Sequence, residues 1–187
     1  MSPPFALPPT HPSIRFGEEL VAKMVDWAST HVPPVARPNV LDVGTGNGHV
    51  LFAMVEAGYD ASRLTGIDYS QGSVDLSTAI ARQRDEDEDD EDEEHTYENV
   101  TFAVCDFLDP ESPVPPPKGE STSDGVWDLV LDKGTFDAIS LMDEDEQGIA
   151  PLERYVPRVV RLLRPGGHFL ITCERLSRSS FTNLPST

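Results

Sequence analysis

The chain has 187 residues, which suits one domain, and its 38% of hydrophobic residues is enough to bury a core. Its 33 acidic and 14 basic residues give a net charge of −19, so the clustered positive charge that nucleic-acid binding requires is absent. No apolar run is long enough to cross a bilayer, and the N-terminus lacks the basic flank and apolar stretch of a secretory signal.

The chain alternates between helical and strand patterns after a Pro-rich tail, residues 1–14, which we expect to be disordered. Apolar periodicity, glycines and prolines predict the following elements in chain order. They are a helix over Gly17–His31, a strand over Asn39–Val43, a helix over His49–Ala57, a strand over Leu64–Ile67, a helix over Ser73–Arg84 with Ser73 as its N-cap, strands over Val100–Val104 and Trp127–Leu131, a helix over Leu152–Leu163 that Pro157 starts, kinks or splits, and a strand over Gly167–Thr172. This alternation predicts an α/β fold with a doubly wound, mostly parallel sheet.

Two insertions interrupt the predicted domain, which covers residues 15–173, and neither is expected to form regular structure. The acidic insertion, residues 85–95, contains the unbroken run of acids from Asp85 to Glu94, which repels itself and stays solvated. It acts either as a plain surface loop or as a device that steers a basic partner by electrostatic attraction. The second insertion, residues 110–124, is rich in proline, and residues 174–187 form an irregular C-terminal tail.

Cysteine and histidine usage points to a reducing compartment without a structural metal. Cys105 and Cys173 are the only cysteines, and the five histidines lack the spacing of metal ligands. We therefore expect a cytoplasmic protein, with the nucleus as a second location, that binds no metal. From the charge and the lack of a long apolar run we expect no binding to nucleic acid or membrane, and we expect a monomer.

The strongest chemical signal is a glycine-rich loop between the first strand and the following helix. Gly44, Gly46 and Gly48 allow a sharp turn and a close approach of the backbone to a ligand, and the helix start behind them presents unpaired N–H groups. His49 occupies the position of the third glycine in a dinucleotide fingerprint, which disfavours an NAD-dependent dehydrogenase. Asp68, at the end of the second strand, could accept hydrogen bonds from ribose hydroxyls. The pair predicts a nucleoside site; a tight turn that binds no ligand is the alternative.

These stretches resemble the seven-strand S-adenosylmethionine-dependent methyltransferases. The resemblance implies S-adenosyl-L-methionine as cofactor and extends to the segment after the third strand, where Asp106 would accept from the adenine amino group and Phe107 would lie beside the ring. Asp106 could instead simply end a strand. By this resemblance the cofactor-binding residues are Asp42, Gly44, Gly46, Gly48, Asp68, Tyr69, Asp106 and Phe107.

A narrower resemblance involves Phe16-Gly17-Glu18-Glu19 and the run Leu131-Asp132-Lys133-Gly134-Thr135-Phe136. Both are similar to protein-lysine methyltransferases that act on translation elongation factor 1-alpha, which implies that protein as substrate. Asp132 would then position the lysine amine or accept its proton through water, and Phe136 would line the lysine stem. Asp132 could instead hold the start of the next helical turn.

The chain departs from this family after the fifth strand, because residues 174–187 show no strand alternation. We therefore expect the family's sixth and seventh strands to be missing, as in a truncated or alternatively spliced form, which would leave a strand edge uncovered. A catalytically inert cofactor-binding module and a small-molecule methyltransferase remain as alternative functions.

Overall fold

Five parallel strands form the centre of the computed structural model, which describes residues 12–87, 96–145 and 148–173, with side chains from residue 17 onward. The strand order is β3-β2-β1-β4-β5. The strands are β1 Val40–Val43, β2 Leu64–Asp68, β3 Thr101–Val104, β4 Trp127–Lys133 and β5 Leu163–Thr172. The helices are α1 Pro12–His31, α2 His49–Glu56, α3 Gln71–Asp87, α4 Thr135–Ile139 and α5 Pro151–Leu162. The predicted doubly wound parallel sheet is confirmed.

Helices cover both faces of the sheet, which explains why the central strands carry few polar residues. All residues of β1 and β2 are buried. Alternate residues of a strand point to opposite faces, so Val40 packs with α1, α2 and α3, whereas Leu41 packs with α4 and α5. None of the described helices combines the length and apolar character needed to cross a bilayer.

Several element boundaries differ from the prediction. Helix α1 begins at Pro12, within the expected tail and five residues before the expected start. Helix α3 begins at Gln71, so Ser73 is not its N-cap; instead the backbone N–H of Ser73 donates to the carbonyl oxygen of Ser70 at 3.1 Å. The short helix α4 was not among the predicted elements, although a helical turn after Asp132 was one of the alternatives.

The last helix and strand also differ from the prediction. Helix α5 runs without a break through Pro157, which the packing of its apolar face allows although proline cannot donate to the residue four positions earlier. Strand β5 begins at Leu163, four residues before the predicted start at Gly167. Leu163 pairs with Trp127, the register then shifts across the Pro-Gly-Gly turn, and regular pairing continues from His168.

The acidic insertion is partly regular, contrary to the prediction. Its first three residues, 85–87, form the last turn of α3, and residues 88–95 lie outside the described part of the chain. The Asp85 carboxylate accepts hydrogen bonds from the backbone N–H of Tyr97 at 2.7 Å and of Glu98 at 2.9 Å. Arg82 pairs with Glu98 at 3.0 Å. The two ends of the insertion are therefore held together beside the sheet.

The Pro-rich insertion forms no helix or strand, as predicted, although Val114 within it is buried against the core. Strands β3 and β5 lie at the two edges of the sheet. The expected loss of strands six and seven concerns residues 174–187, which lie outside the described residues, as does most of the expected N-terminal tail.

Candidate active site

The glycine loop after β1 is locked in a turn that only glycine adopts easily. Gly44, Gly46 and Gly48 have φ angles of 73°, 57° and 79°. The N–H groups of Gly44 and Thr45 both donate to the carbonyl oxygen of Ile67, at 2.8 and 2.9 Å, which ties the loop to β2. A Cβ on Gly44 would lie 1.9 Å from Thr135 Oγ1, so the loop can approach α4 only because this residue has no side chain.

The glycine loop and Asp68 meet directly. The backbone N–H of Gly46 donates to Asp68 Oδ2 at 3.0 Å, and the N–H of Ser70 donates to Asp68 Oδ1 at 2.9 Å. Each carboxylate oxygen keeps further acceptor capacity after these bonds. The carboxylate is thus held at the carboxyl end of β2 and can still accept hydrogen bonds from a pair of ligand hydroxyls.

A cavity of about 450 Å³ opens at this edge of the sheet. It is bordered by the glycine loop, the end of β2, the segment after β3, and α4 with the residues that follow it. The lining residues are Val43, Gly44, Ile67, Asp68, Tyr69, Cys105, Asp106, Phe107, Leu108, Thr135, Ala138, Ile139 and Met142. The wall is mostly apolar, with two carboxylates, and a parallel sheet commonly binds its ligands at this end.

Five of the eight predicted cofactor residues line this cavity: Gly44, Asp68, Tyr69, Asp106 and Phe107. Tyr69 is 82% exposed, whereas Phe107 is buried except for its face toward the cavity. Asp106 accepts from the N–H of Leu108 at 2.9 Å. Its side chain therefore also shapes the turn after β3, which agrees with the alternative that it simply ends the strand.

Gly46 and Gly48 differ in what surrounds them. A Cβ on Gly46 would meet nothing within 4 Å, so the backbone there faces open space. A Cβ on Gly48 would lie 2.8 Å from the ring of Phe52 and 3.0 Å from the ring of Phe102. Gly48 therefore serves the packing of α2 against the sheet, and its contact with a cofactor stays a prediction.

Asp42 is another of the predicted cofactor residues. Its side chain is buried behind the loop, and burial raises its pKa to about 7, with the neighbouring carboxylates of Asp132 and Asp68 adding to the increase. The nearby Thr45 hydroxyl opposes this increase as a hydrogen-bond donor to the carboxyl group, although the contact falls short of a well-formed bond. Neither Asp42 nor Thr45 lines the cavity, so the predicted contact of Asp42 with a cofactor stays a prediction.

Asp132 and Phe136, the two predicted catalytic residues, are not among the residues that line the cavity. Asp132 is buried, and its carboxylate accepts from the backbone N–H of Thr135 at 2.8 Å, the N–H of Phe136 at 2.9 Å and the hydroxyl of Tyr155. Three donors thus hold the carboxylate inside the fold, and two of them belong to the start of α4, as the alternative role of holding the next helical turn requires. The role of Asp132 toward the incoming amine stays a prediction.

The environment of this carboxylate agrees with a structural position. Burial raises the pKa of Asp132, and the hydrogen bond from Tyr155 opposes that increase. The Phe136 ring lies 5.6 Å from the Tyr155 ring in an edge-to-face arrangement, on the core side of α4. Any contact of Asp132 or Phe136 with a substrate stays a prediction.

Two residues of α5 that the sequence analysis missed complete the surroundings of the site. Tyr155 connects Asp132 to the core, and Arg158 contacts the segment after β3 that lines the cavity. Arg158 could have been noticed, since it interrupts the apolar stripe of α5. Tyr155 fits that stripe and carries no local signal.

Comparison with known proteins agrees with this geometry. A family model described as a methyltransferase domain matches residues 36–185. The protein-lysine N-methyltransferase efm4 of Schizosaccharomyces pombe is 36% identical over 170 residues, which cover 85% of this chain and 63% of that protein. The EEF1A lysine methyltransferase 2 of Danio rerio is 36% identical over 160 residues, 85% of this chain and 57% of that protein. The chain thus spans about three fifths of the length of these relatives.

The fold is also found among solved structures. The PH0226 protein from Pyrococcus horikoshii OT3 superimposes with a TM-score of 0.58 at 20% identity, over 87% of this chain and 58% of that one. At this identity the likeness concerns the fold alone. The match of the family model over most of the chain confirms the predicted family, and the chain belongs to the methyltransferase-domain family.

Proposed function

We propose that this protein is an S-adenosylmethionine-dependent protein-lysine N-methyltransferase that acts on translation elongation factor 1-alpha. Relatives at about a third identity carry the names protein-lysine N-methyltransferase and EEF1A lysine methyltransferase. A cytoplasmic location and a monomeric state are part of the proposal, and imaging of the tagged chain and light scattering on the purified chain test them.

The observation that carries the proposal is the bond between the Gly46 N–H and the Asp68 carboxylate at the mouth of the cavity. It brings the glycine loop and the strand-end acid to one side of a pocket of the right size for a nucleoside. In the proposed complex Asp68 accepts from the ribose hydroxyls, and Asp106 and Phe107 border the adenine. Gly46 leaves space for the chain of the ligand beside the loop.

The cofactor supplies an activated methyl group carried on a positively charged sulfur. The protein therefore needs mainly to align donor and acceptor and to exclude water. Ile139 and Met142 supply an apolar wall near α4, next to Thr135. A lysine amine must lose its proton before it can attack, and desolvation along such a wall lowers the amine pKa.

The acidic character of the chain also supports a protein substrate with a basic surface. The net charge of −19 attracts positively charged partners and repels nucleic acids. The apolar part of the cavity wall suits the hydrocarbon stem of a lysine side chain.

Methyl transfer to elongation factor 1-alpha tests the proposal directly. The full chain is incubated with S-adenosylmethionine and the purified, unmethylated factor, and the factor is then digested and its peptides are measured by mass spectrometry. We expect a methylated lysine peptide with the wild-type chain. The Asp68→Asn variant should give none, because an amide oxygen accepts less strongly and the amide nitrogen repels donors. Arg37→Gln, at the opposite end of the sheet, serves as the active control.

The outcomes separate the alternatives. Binding of S-adenosylhomocysteine in a calorimeter without methylation of any protein substrate would support an inert binding module instead. Methylation of small amines or metabolites, with no labelled peptide, would support a small-molecule enzyme. Absence of both binding and transfer in the wild-type chain would reject the proposal.

A further inference from the structure

Arg158 is a buried charge on the otherwise apolar face of α5. Its neighbours along that face, Tyr155, Val159 and Leu162, are buried core residues, and Arg158 itself is only 7% exposed. No carboxylate of the described residues forms an ion pair with it. A buried guanidinium is costly unless its donors are satisfied, so its partners indicate why it is there.

Those partners are the backbone carbonyls of one short segment. Arg158 Nη1 donates to the carbonyl oxygens of Asp106 and Phe107, both at 3.1 Å, and to that of Asp109. Nη2 donates to the carbonyl oxygen of Ser112. The guanidinium carbon also lies 5.0 Å from the centre of the Phe107 ring. One side chain thus gathers four carbonyls that point toward it from a single irregular stretch.

This stretch forms one wall of the candidate cofactor cavity. Cys105 to Leu108 line the cavity, and the segment from 105 to 112 has no strand or helix to fix its path. Within it, turn bonds join the N–H of Asp109 to the carbonyl of Asp106 and the N–H of Ser112 to the carbonyl of Asp109. Outside the segment, the N–H of Cys105 donates to the carbonyl of Asp68 at 2.8 Å, and the Phe107 ring packs 5.2 Å from the Tyr155 ring. Arg158 adds the bonds that tie the carbonyls between residues 106 and 112 to α5.

We infer that Arg158 is a positioning residue for cofactor recognition: it sets the wall formed by Asp106 and Phe107 against which the adenine ring binds. The inference rests on the proposed cofactor and goes beyond it by assigning adenine selectivity to a residue that does not line the cavity. Arg158 acts from behind this wall, through the backbone carbonyls and the underside of Phe107.

The geometry suits arginine better than lysine or methionine. The planar guanidinium offers five N–H donors in a fixed fork, and its two terminal nitrogens bind four carbonyls here, whereas Nε has no partner among the described residues. Lysine has a single ammonium on a flexible stem and cannot reach all four acceptors at once. Methionine fills a similar volume but leaves every carbonyl without its donor.

Calorimetry with two ligands on the full chain tests the inference. S-adenosylhomocysteine carries adenine, and S-ribosylhomocysteine lacks it; the ratio of their dissociation constants measures adenine selectivity. We expect Arg158→Met to bind S-adenosylhomocysteine about tenfold more weakly than the wild type, because charged hydrogen bonds that hold the wall are lost. Binding of S-ribosylhomocysteine should change little, so selectivity falls. The selectivity of Arg158→Lys should lie between that of the wild type and that of Arg158→Met.

Arg161→Gln is the matched control, since Arg161 lies one turn along α5 and pairs with Asp124 at the surface. It should keep wild-type affinity and selectivity. A purely structural role for Arg158 would lower the melting temperature and the fraction of binding-competent protein, and would leave the selectivity of the folded fraction unchanged. A folded Arg158→Met protein with wild-type selectivity overturns the inference.

A second variant decides the matter if Arg158→Met does not fold. Ser112 Oγ accepts from the N–H of Asp106 at 3.0 Å, so Ser112→Ala loosens the same wall without touching a buried charge. We expect about threefold weaker binding of S-adenosylhomocysteine, and unchanged binding overturns the inference. A wild-type chain that binds no S-adenosylhomocysteine rejects the cofactor itself; equal binding by wild type and both variants rejects only the role of Arg158.

Discussion

The two ends of the sheet use charged residues in different ways. At the carboxyl end, Asp68 and Asp132 accept hydrogen bonds from backbone N–H groups of the loops that follow the strands. At the amino end, Asp128 and Asp60 also accept from backbone N–H groups, those of Asn39 at 2.7 Å and Ser62 at 3.0 Å, but each carboxylate in addition pairs with an arginine. Arg164 pairs with Asp128 at 2.5 Å and Arg37 with Asp60 at 2.5 Å. One end uses charge to shape a binding surface, and the other neutralises it.

Cavity size alone would favour the amino end, away from the predicted cofactor residues. The cavity at the amino end measures about 550 Å³, larger than the one beside the glycine loop. Its wall includes Arg37, Arg63 and Arg164, but these side chains already bind Asp60, Asn39 and Asp128. At the carboxyl end, the Asp68 carboxylate has no arginine partner among the described residues and keeps acceptor capacity beside its cavity. The charge of the lining residues therefore distinguishes the two cavities better than their volume does.

The largest expected effect is on cofactor binding. Asp68→Ala removes the acceptor for the ligand hydroxyls and for the Gly46 N–H, so we expect affinity for S-adenosylhomocysteine to fall at least about a hundredfold. Calorimetry measures it. Equal affinity in the variant would contradict the contrast between the two ends, because the carboxyl end would then bind without its acid.

The next effect is on stability. Asp132→Ala leaves the N–H groups of Thr135 and Phe136 and the hydroxyl of Tyr155 without their acceptor, so we expect a loss of about 3 kcal/mol in the free energy of unfolding. Urea denaturation provides the value. Asp128→Ala should cost less, because it leaves one backbone N–H, that of Asn39, without its acceptor, and water can replace Asp128 as the partner of the half-exposed Arg164. A larger loss of stability in Asp128→Ala than in Asp132→Ala would mean that the ion pairs at the amino end stabilise the fold more than the hydrogen bonds of Asp132 do.

A pH series tests the buried acid at the carboxyl end. Asp42 has an ordinary pKa of 3.8 and a folded-state pKa of about 7, so between these values the folded chain binds the extra proton and stability falls as the pH rises. This group should cost the wild type about 1.4 kcal/mol per pH unit in that window. Asp42→Asn should lack this contribution. The free energies of unfolding of the two proteins, measured at pH 5, 6 and 7, should therefore differ by an amount that changes with pH. A constant difference would show that Asp42 does not titrate there.

The smallest effect is expected at the amino end. Arg37→Gln removes an ion pair whose arginine is largely exposed, so the free energy of unfolding should change by less than about 0.5 kcal/mol. Cofactor affinity should be unchanged. A measurable loss of binding would indicate that the two ends are coupled through the sheet.

Local patterns were sufficient to predict that the glycine loop and Asp68 lie together. The positions of Gly44 and Gly46 follow from the turn between β1 and α2, and the place of Asp68 follows from the meeting of strand ends at one edge of a parallel sheet. Neither step requires knowledge of distant contacts. The prediction of the fold succeeded for the same reason.

The parts that could not be predicted depend on contacts between distant segments. Arg158 contacts residues 52 positions earlier in the chain, and the inward orientation of Asp132 depends on Tyr155, 23 positions later. No local pattern specifies either pairing. The start of α3 was misplaced because Ser73 is a residue type that often caps helices, whereas the helix already begins at Gln71.

The clasp formed by Asp85 with Tyr97 and Glu98 has a consequence for insertions at this point of the chain. Because the clasp already fixes both ends of the loop, residues added between 87 and 96 are expected to leave β2 and β3 in place. Doubling the length of a loop closed in this way costs only about 0.6 kcal/mol of chain entropy. As long as Asp85 is kept, the rest of the acidic run can therefore change in length and charge at little cost in stability.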